Sequence, residues 1–268
     1  TKDWLFGYLS YDLKNDSERL QSNNFDGLDF PDLFFFQPKK IFLLKGNQLE
    51  TRYLHLCDDE LQEDYQDITN IVPQQSTASD SVMVQARIDQ KKYLEQVQKM
   101  QEYIHKGDIY EANFCMEFYA EIATIQPLEK FQKLNAISQP PFAVFLKNNQ
   151  QYLLSATPER YLRKEGEDLI SQPIKGTAKR YEDPVADEKA KDDLASNPKE
   201  RAENIMITDL VRNDLSRTAQ KGSVQVEELC GIYSFMQVHQ TISTITSKMD
   251  EKSSVIDVLR LIFPMGSM

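Results

Sequence analysis

Apolar and polar residues alternate over the first part of the chain in short runs that are typical of β-strands. Pro31 and Gly46 interrupt these runs, which cover residues 5–10, 33–36, 41–44 and 49–56. A stretch rich in Gln, Ser and Thr follows at residues 73–80, with the composition of a linker or mobile loop. We therefore predict a β-rich N-terminal lobe over residues 1–82 and a second lobe over residues 83–268.

The second lobe carries both helical and strand periodicity. Apolar residues recur every three or four positions between Asp89, a favoured N-cap, and Gly107, a favoured C-cap, which predicts a helix. The other predicted helices cover residues 187–195, 199–214 and 254–262. Predicted strands cover residues 108–122, 142–146, 152–156, 161–163, 168–174, 224–229 and 232–245. Because strands and helices come in groups, we predict a mixed α+β fold with antiparallel sheets.

Composition limits the partners and the compartment. A formal net charge of −11 argues against nucleic acid or an anionic membrane as the main partner. Three widely spaced cysteines lack metal-binding spacing and suggest a reducing compartment. No apolar run reaches the ~18 residues of a membrane helix, and no signal-peptide pattern opens the chain. We therefore expect a cytoplasmic location.

A lysine, Lys175, follows apolar residues at the end of a predicted strand, between Ile174 and Gly176. Burial in a low-dielectric setting would lower its pKa and make the amine a nucleophile. Lysine is seldom fully buried, so a surface lysine at a strand end is the alternative. The local sequence leaves both interpretations open.

Carboxylates offer two further candidates for chemistry. Glu200 and Glu203 lie three residues apart on one face of a predicted helix and could share Mg²⁺, although a solvated charged face has the same pattern. Glu159 follows the strand that ends at residue 156, so pairing of neighbouring strands would bring it near Lys175. There it could serve as a general acid or form an ordinary ion pair.

A histidine, His239, shares one face of a predicted strand with Thr241 and Ser243. That polar face could meet water or form a site. A lone histidine on a strand is often structural, yet its side chain is also well suited to move protons near neutral pH.

Several sequence motifs occur in the order found in one enzyme family. They are Gly107–Asn113, Thr157–Arg160, Pro173–Thr177, Glu200–Leu215, Gly222–Val224, Val238–His239 and Phe263–Ser267. On these motifs the chain resembles the chorismate-utilising enzymes, strongly over residues 89–268 and weakly at residues 6–12. The resemblance implies an anthranilate synthase component I-like fold, with antiparallel sheets packed as a sandwich and helices outside. It also implies that both ends of the chain are truncated.

Within that family, the lysine at position 175 resembles the aminodeoxychorismate-forming branch, since anthranilate- and isochorismate-forming members usually carry alanine there. The resemblance implies a Mg²⁺-dependent transferase that converts chorismate and ammonia to 4-amino-4-deoxychorismate for para-aminobenzoate and folate biosynthesis. A separate glutamine amidotransferase chain would supply the ammonia. The alternatives are an anthranilate-forming enzyme and a non-catalytic fragment that docks the amidotransferase.

The resemblance also assigns roles to individual residues. Lys175 would add to C2 of chorismate, Glu159 would protonate the departing C4 hydroxyl, and His239 would line the C4 side of the ring. Glu200 and Glu203 would hold Mg²⁺. The implied substrate-binding residues are Glu111, Thr177, Gly266 and Ser267.

Three departures from the family pattern qualify these expectations. Glu111 stands where amine-transferring relatives usually carry glutamine, and Thr157 replaces the more usual serine before Pro158. The chain also stops before the segment that supplies a second pair of metal-binding glutamates in the family. If that segment is absent from the protein, we expect no turnover.

Overall fold

The computed structural model describes residues 3–72, 82–121 and 123–266. The chain separates into two compact units, Thr1–Ala78 and Ser79–Met268. The predicted linker at residues 73–80 lies outside the described residues. Among the described residues, no helix combines the length and the apolar character that crossing a membrane requires.

The first unit consists of two antiparallel strand pairs and short helices. In chain order its elements are β1 (Phe6–Leu9), a 3₁₀ turn (Tyr11–Leu13), α1 (Lys14–Ser17), β2 (Leu33–Phe36), β3 (Lys40–Lys45), β4 (Gln48–Tyr53), a second 3₁₀ segment (His55–Glu60) and α2 (Leu61–Asn70). Strand β1 pairs with β2, and β3 pairs with β4. The four predicted strands are confirmed, with small differences at their ends.

Helix α2 was not among the predicted elements. Leu61, Tyr65 and Ile68 recur at helical spacing in its sequence, and Glu63 and Asp64 place acidic side chains in its first turn. The apolar residues are few and most of their neighbours are polar, so the pattern does not predict this helix. The predicted strand at 49–56 ends at Tyr53, because the chain turns into the 3₁₀ segment that buries Cys57.

The second unit opens with the predicted long helix. Its elements up to the main sheet are β5 (Gln85–Ala86), α3 (Gln90–Lys106), β6 (Phe118–Tyr119), α4 (Pro127–Ser138), β7 (Phe142–Asn148) and β8 (Gln151–Thr157). Both predicted caps of α3 are confirmed: Asp89 Oδ1 accepts a hydrogen bond from the Lys92 amide at 2.8 Å, and Gly107 has a φ of 80°. Strands β7 and β8 form the predicted hairpin.

The predicted strand at 108–122 is mostly wrong. Only Phe118 and Tyr119 form a strand there, and Ile122 lies outside the described residues. Strand β6 pairs with the two-residue β5, so the alternating run before it has no partner strand. Alternation alone does not make a strand, because each ladder needs a neighbouring backbone. The residues from 108 to 117 form a loop instead.

The remaining elements form a sheet covered by helices. They are β9 (Arg160–Glu165), β10 (Asp168–Gln172), β11 (Ile174–Lys179), α5 (Pro184–Ser196), α6 (Pro198–Ser216), β12 (Gln225–Ser234), β13 (Val238–Lys248) and α7 (Val255–Ile262). In the described part of the chain these strands make a five-stranded antiparallel sheet, in which the long β13 pairs with β10, β11 and β12. The α+β prediction is confirmed.

Two predicted strand boundaries required correction. The predicted strand at 168–174 divides at Pro173, which has no amide hydrogen for a ladder, into β10 and β11. The predicted strand at 232–245 spans a turn, because β12 continues to Ser234 and β13 begins at Val238. Local alternation does not reveal a turn within an apolar run.

Helices α6 and α7 contribute to the hydrophobic core together with the sheet. Helix α6 turns a stripe of buried residues inward, spaced three or four positions apart. Ser254 and Asp257 form a capping box that starts α7. The core residues are Leu169, Ile207, Val211, Leu215, Ile245, Val258 and Ile262. This packing holds α6 across β11 and β13, where the candidate residues lie.

Candidate functional site

Lys175 is largely buried in the structure. It is the second residue of β11, and its side chain is 15% exposed. Its Nζ lies 4.0 Å from Oε1 of Glu111, on the loop that follows α3. The contact is an ion pair at long range, beyond hydrogen-bond distance. The structure therefore favours the buried lysine over the surface lysine.

The backbone around Lys175 departs from a regular strand. Strand β11 pairs with β13 at Ile174 and again at Thr177, and the register shifts between them. Gly176 has a φ of +95°, in the region that glycine adopts without steric cost. Such bulges redirect side chains and often lie beside functional sites. Lys175 thus stands in a bulge and not in a paired ladder position.

Gly176 also brings α6 close to β11. A Cβ at this position would lie 3.1 Å from Oγ1 of Thr241 and 3.2 Å from both Cβ and Oε2 of Glu200. Those separations are tighter than most Cβ contacts, so a larger side chain would displace its neighbours. The carboxylate of Glu200 therefore reaches the bulge directly beside Lys175.

Glu159 lies against the residue before Lys175. Its Oε1 accepts a hydrogen bond from the Ile174 amide at 3.2 Å, and its own amide donates to Oγ1 of Thr157 at 3.1 Å. The threonine that replaces the usual serine therefore still supplies a hydroxyl to this turn. The structure brings the Glu159 carboxylate to the start of β11, next to the bulge.

Glu200 and Glu203 occupy the first turns of α6, which Asn197 caps by accepting from the amides of Lys199 and Glu200. The Glu203 side chain is 35% exposed and lies 3.6 Å from the Lys199 ammonium. Among the described residues, no group of three or more His, Cys, Asp or Glu side chains converges as a metal site.

Two carboxylates are nevertheless compatible with Mg²⁺. This ion takes oxygen ligands, is usually bound through one or two carboxylates, and keeps several waters or substrate oxygens. Because Gly176 has no side chain, the Glu200 carboxylate has room beside the bulge. The residues present therefore fit Mg²⁺ as a partial ligand set, and the metal assignment stays a prediction.

His239 is held in a buried polar cluster. The residue is 1% exposed, with Nδ1 2.8 Å from Oγ of Ser234 and Nε2 3.1 Å from Oδ1 of Asp187. Asp187 also accepts from Nε of Arg180 at 2.9 Å and from the Tyr181 amide. The Arg180 hydrogen bond, supported by that amide, lowers the pKa of Asp187 to about 2. Both ring nitrogens of His239 therefore have partners, and its catalytic role stays a prediction.

The next residue, Gln240, faces the opposite side of β13 because strand side chains alternate. Gln240 is the ladder partner of Thr177, one of the predicted substrate-binding residues. Its buried Oε1 has no hydrogen-bond partner among the described residues. A buried amide oxygen without a donor is costly, so a donor beside Thr177 would stabilise this position. The sequence alone carries no signal that distinguishes Gln240 from its neighbours.

A cavity of about 700 Å³ lies between the loop after α3, one face of α6 and Gly266. Glu111 and Gly266, both predicted to bind substrate, line it, and so do Asp108 and Asp209. Glu111 also contacts Lys175, so one carboxylate connects this cavity to the bulge. Ser267 lies outside the described residues, and its role stays a prediction.

Comparison with known proteins identifies the family. A model of the chorismate binding enzyme family matches residues 1–268, so the chain belongs to that family. Aminodeoxychorismate synthase component 1 of Escherichia coli (strain K12) is 40% identical over 183 residues, which are 68% of this chain and 40% of that protein. The anthranilate synthase component I-like protein of Synechocystis sp. is 30% identical over 269 residues, 98% of this chain and 55% of that protein.

A solved structure supports the fold. The crystal structure of anthranilate synthase component I from Streptococcus pneumoniae TIGR4 matches 98% of this chain and 61% of that chain, with a TM-score of 0.85 and 21% identity. The chain therefore has the anthranilate synthase component I fold, as the motifs predicted. It spans about half the length of the curated relatives described above.

Proposed function

We propose that this chain is the chorismate-binding part of an aminodeoxychorismate synthase component I. The proposed reaction converts chorismate and ammonia to 4-amino-4-deoxychorismate. The observation that carries the proposal is Lys175, a lysine only 15% exposed that stands in a strand bulge beside Glu111. The 40% identity to the Escherichia coli aminodeoxychorismate synthase component 1 supports the same branch.

In this proposal, Lys175 acts as a nucleophile. Its Nζ, as the free amine, forms a bond to C2 of chorismate, the ring double bonds shift, and the C4–O bond breaks. Glu159 gives a proton to the leaving oxygen, so that water departs instead of hydroxide. The Glu159 carboxyl accepts a hydrogen bond from the amide of Ile174, the residue before Lys175, so it lies next to the proposed nucleophile.

The second half of the reaction releases the lysine. Ammonia forms a bond to C4, the double bonds shift back, and the C2–N bond to Lys175 breaks, which returns the free amine. The proton that the new ammonium loses restores Glu159 to its acid form. In this proposal Glu111, whose Oε1 lies 4.0 Å from Nζ, would close to hydrogen-bond distance and accept the proton that Lys175 must lose before it attacks.

The substrate carries two carboxylates and the chain has a net charge of −11, so binding needs positive charge. Glu200 and Glu203 would hold Mg²⁺, which when bound would neutralise and orient a substrate carboxylate. We also propose that a glutamine amidotransferase partner supplies the ammonia, because the names of the relatives, component 1 and component I-like, imply a further component.

The test is product identification with the full-length protein, chorismate, Mg²⁺ and ammonium. We expect 4-amino-4-deoxychorismate by chromatography and mass spectrometry, together with loss of turnover when Mg²⁺ is chelated. Fluorescent anthranilate formed without an added lyase would instead support the anthranilate-forming alternative. That alternative is favoured by the Synechocystis relative, whose match covers 98% of this chain.

A further inference from the structure

Asn204 lies at the centre of a buried polar network beneath the bulge. It sits on α6 and is 1% exposed. Its Nδ2 donates to the backbone carbonyl of Lys175 at 3.3 Å and to that of Thr241 at 3.0 Å. Its Oδ1 accepts from Oγ of Ser243 at 2.5 Å and from Sγ of Cys230 at 3.6 Å. A primary amide has two donor hydrogens and two acceptor lone pairs, and here each has a partner.

Chemistry fixes the orientation of this amide. The carbonyl oxygens of Lys175 and Thr241 only accept hydrogen bonds, so they must face Nδ2. The Ser243 hydroxyl and the Cys230 thiol can donate to Oδ1. A flipped amide would set an oxygen against two carbonyls. The network therefore specifies asparagine and no other residue of similar size.

The hydrogen bond to Lys175 comes where the sheet ladder is irregular. The register between β11 and β13 shifts between Ile174 and Thr177, so Lys175 stands between paired positions. A bulged residue is left without its regular ladder partner and depends on other groups to set its direction. Asn204 bridges the two strands at this point, because it holds one carbonyl on each.

The hydrogen-bond network around Asn204 extends to Cys230 on β12. The Cys230 amide donates to Oγ of Ser243 at 2.9 Å, and Cys230 has a φ of +56°, which is uncommon for a residue other than glycine. Buried, fully satisfied polar networks rigidify their surroundings and specify one arrangement. The network thus joins α6, β11, β12 and β13 around one side chain.

We propose that Asn204 is a positioning residue for Lys175: by holding the Lys175 carbonyl, it fixes the bulge and directs the ammonium group toward Glu111. This inference rests on the proposed function of Lys175. Because Asn204 is 1% exposed and holds the Lys175 carbonyl, in this inference it acts through the backbone of the nucleophile. Loss of its donor therefore lowers the rate of the chemical step more than it weakens substrate binding.

The test compares Asn204→Asp with Thr208→Val in the full-length protein. Aspartate has the size of asparagine but cannot donate to the carbonyls of Lys175 and Thr241. Thr208, one turn later on α6, is 3% exposed, and its hydroxyl donates to the backbone carbonyl of Asn204 within the helix. It therefore controls for loss of a buried polar contact on the same helix.

With chorismate, Mg²⁺ and ammonium, we expect Asn204→Asp to lower kcat about 100-fold and to change the KM for chorismate less than about threefold. Thr208→Val should change both by less than about threefold. Equal effects of the two variants on kcat would overturn the inference, since they would reflect general destabilisation.

A spectroscopic measurement reports on Lys175 without turnover. Reductive methylation with ¹³C-formaldehyde gives each lysine an NMR signal, and Lys175→Arg identifies the signal of Lys175. We expect this signal to shift in Asn204→Asp but not in Thr208→Val. An unchanged signal in Asn204→Asp would contradict the inference.

If Asn204→Asp does not fold by circular dichroism, Ser243→Ala replaces it, because that change removes a donor to Oδ1 and leaves the amide in place. We then expect about a tenfold lower kcat and a shifted Lys175 signal, and an unchanged signal would reject the inference. Failure of the proposed function gives a different result: Lys175→Ala would keep full activity. An inactive Lys175→Ala beside an unaffected Asn204→Asp would reject only the positioning role.

Discussion

Two buried basic side chains, Lys175 and His239, lie on adjacent strands of the same sheet and differ in what surrounds them. Lys175 stands in a bulge, and its ammonium has one carboxylate at 4.0 Å. His239 stands in a regular ladder opposite Ala178, and both of its ring nitrogens have hydrogen-bond partners. Both residues are basic and largely withdrawn from solvent, but the ring nitrogens of His239 are hydrogen-bonded, whereas the Lys175 ammonium lies beyond hydrogen-bond distance of Glu111.

The difference shows that a regular ladder position and a bulge suit different roles in one sheet. A regular ladder directs each side chain to one face, and in His239 that face meets Asp187 and Ser234 beneath α5. A bulge releases a residue from that alternation and lets it point toward a neighbouring loop. A nucleophile needs an atom that is held in place but not fully engaged, and Lys175 meets that condition.

The largest expected effect is on Lys175 itself. Lys175→Ala should lower kcat for the proposed formation of 4-amino-4-deoxychorismate about 100-fold or more, because it removes the nitrogen that we propose bonds to C2. Lys179→Ala, at the exposed end of the same strand, is the matched control and should keep near-normal activity. Steady-state kinetics with ammonium measure both. Full activity in Lys175→Ala would remove the distinction between the two buried residues.

His239→Leu tests the other side of the comparison. We expect a loss of about 1–3 kcal/mol in the free energy of unfolding, because Ser234 and Asp187 lose a buried partner. A purely structural role predicts a change in kcat of less than about fivefold. Urea denaturation and kinetics measure the two effects, with His55→Leu as control, since the His55 side chain is 100% exposed. A stable variant with a kcat lowered about 100-fold would instead support the role at C4.

Gly176→Ala measures how much the stability of the bulge depends on the close approach of Thr241 and Glu200 to Gly176. The new Cβ would meet Thr241 and Glu200 at 3.1 and 3.2 Å, and it would stand at a φ of +95°. We expect destabilisation of about 2–4 kcal/mol from both causes. Gly166→Ala separates them, because Gly166 has a φ of +59° but nothing within 4 Å of its Cβ position. Equal losses in urea denaturation would mean that the contact with α6 is unimportant.

The smallest expected effect concerns pH. The Arg180 hydrogen bond lowers the pKa of Asp187 from 3.8 to about 2, so Asp187 stabilises the fold above pH 3.8. This contribution is lost as pH falls toward 2, where the folded state must take up the proton. Asp187→Asn should therefore flatten the dependence of the urea midpoint on pH in that interval. Asp192→Asn, an exposed change on the same helix, should leave the dependence unaltered.

Much of the fold follows from local pattern. The helix between Asp89 and Gly107 carries its caps in the sequence, and the hairpin around Asn148 carries its turn. The sequence pattern does not predict helix α2, because its apolar run is short. It also does not predict the turn between β12 and β13, because the apolar run continues through that turn. Helix α4 was also absent from the predicted elements.

The sequence by itself determined the family, the α+β class and the candidate residue types, because ordered motifs and periodicity are local properties of a chain. It could not show that Lys175 is buried, that it stands in a bulge, or that Asn204 holds its carbonyl. It also could not show that His239 is already engaged. Those features depend on contacts between residues far apart in the chain, and only the packing of α6 on β11 and β13 decides them.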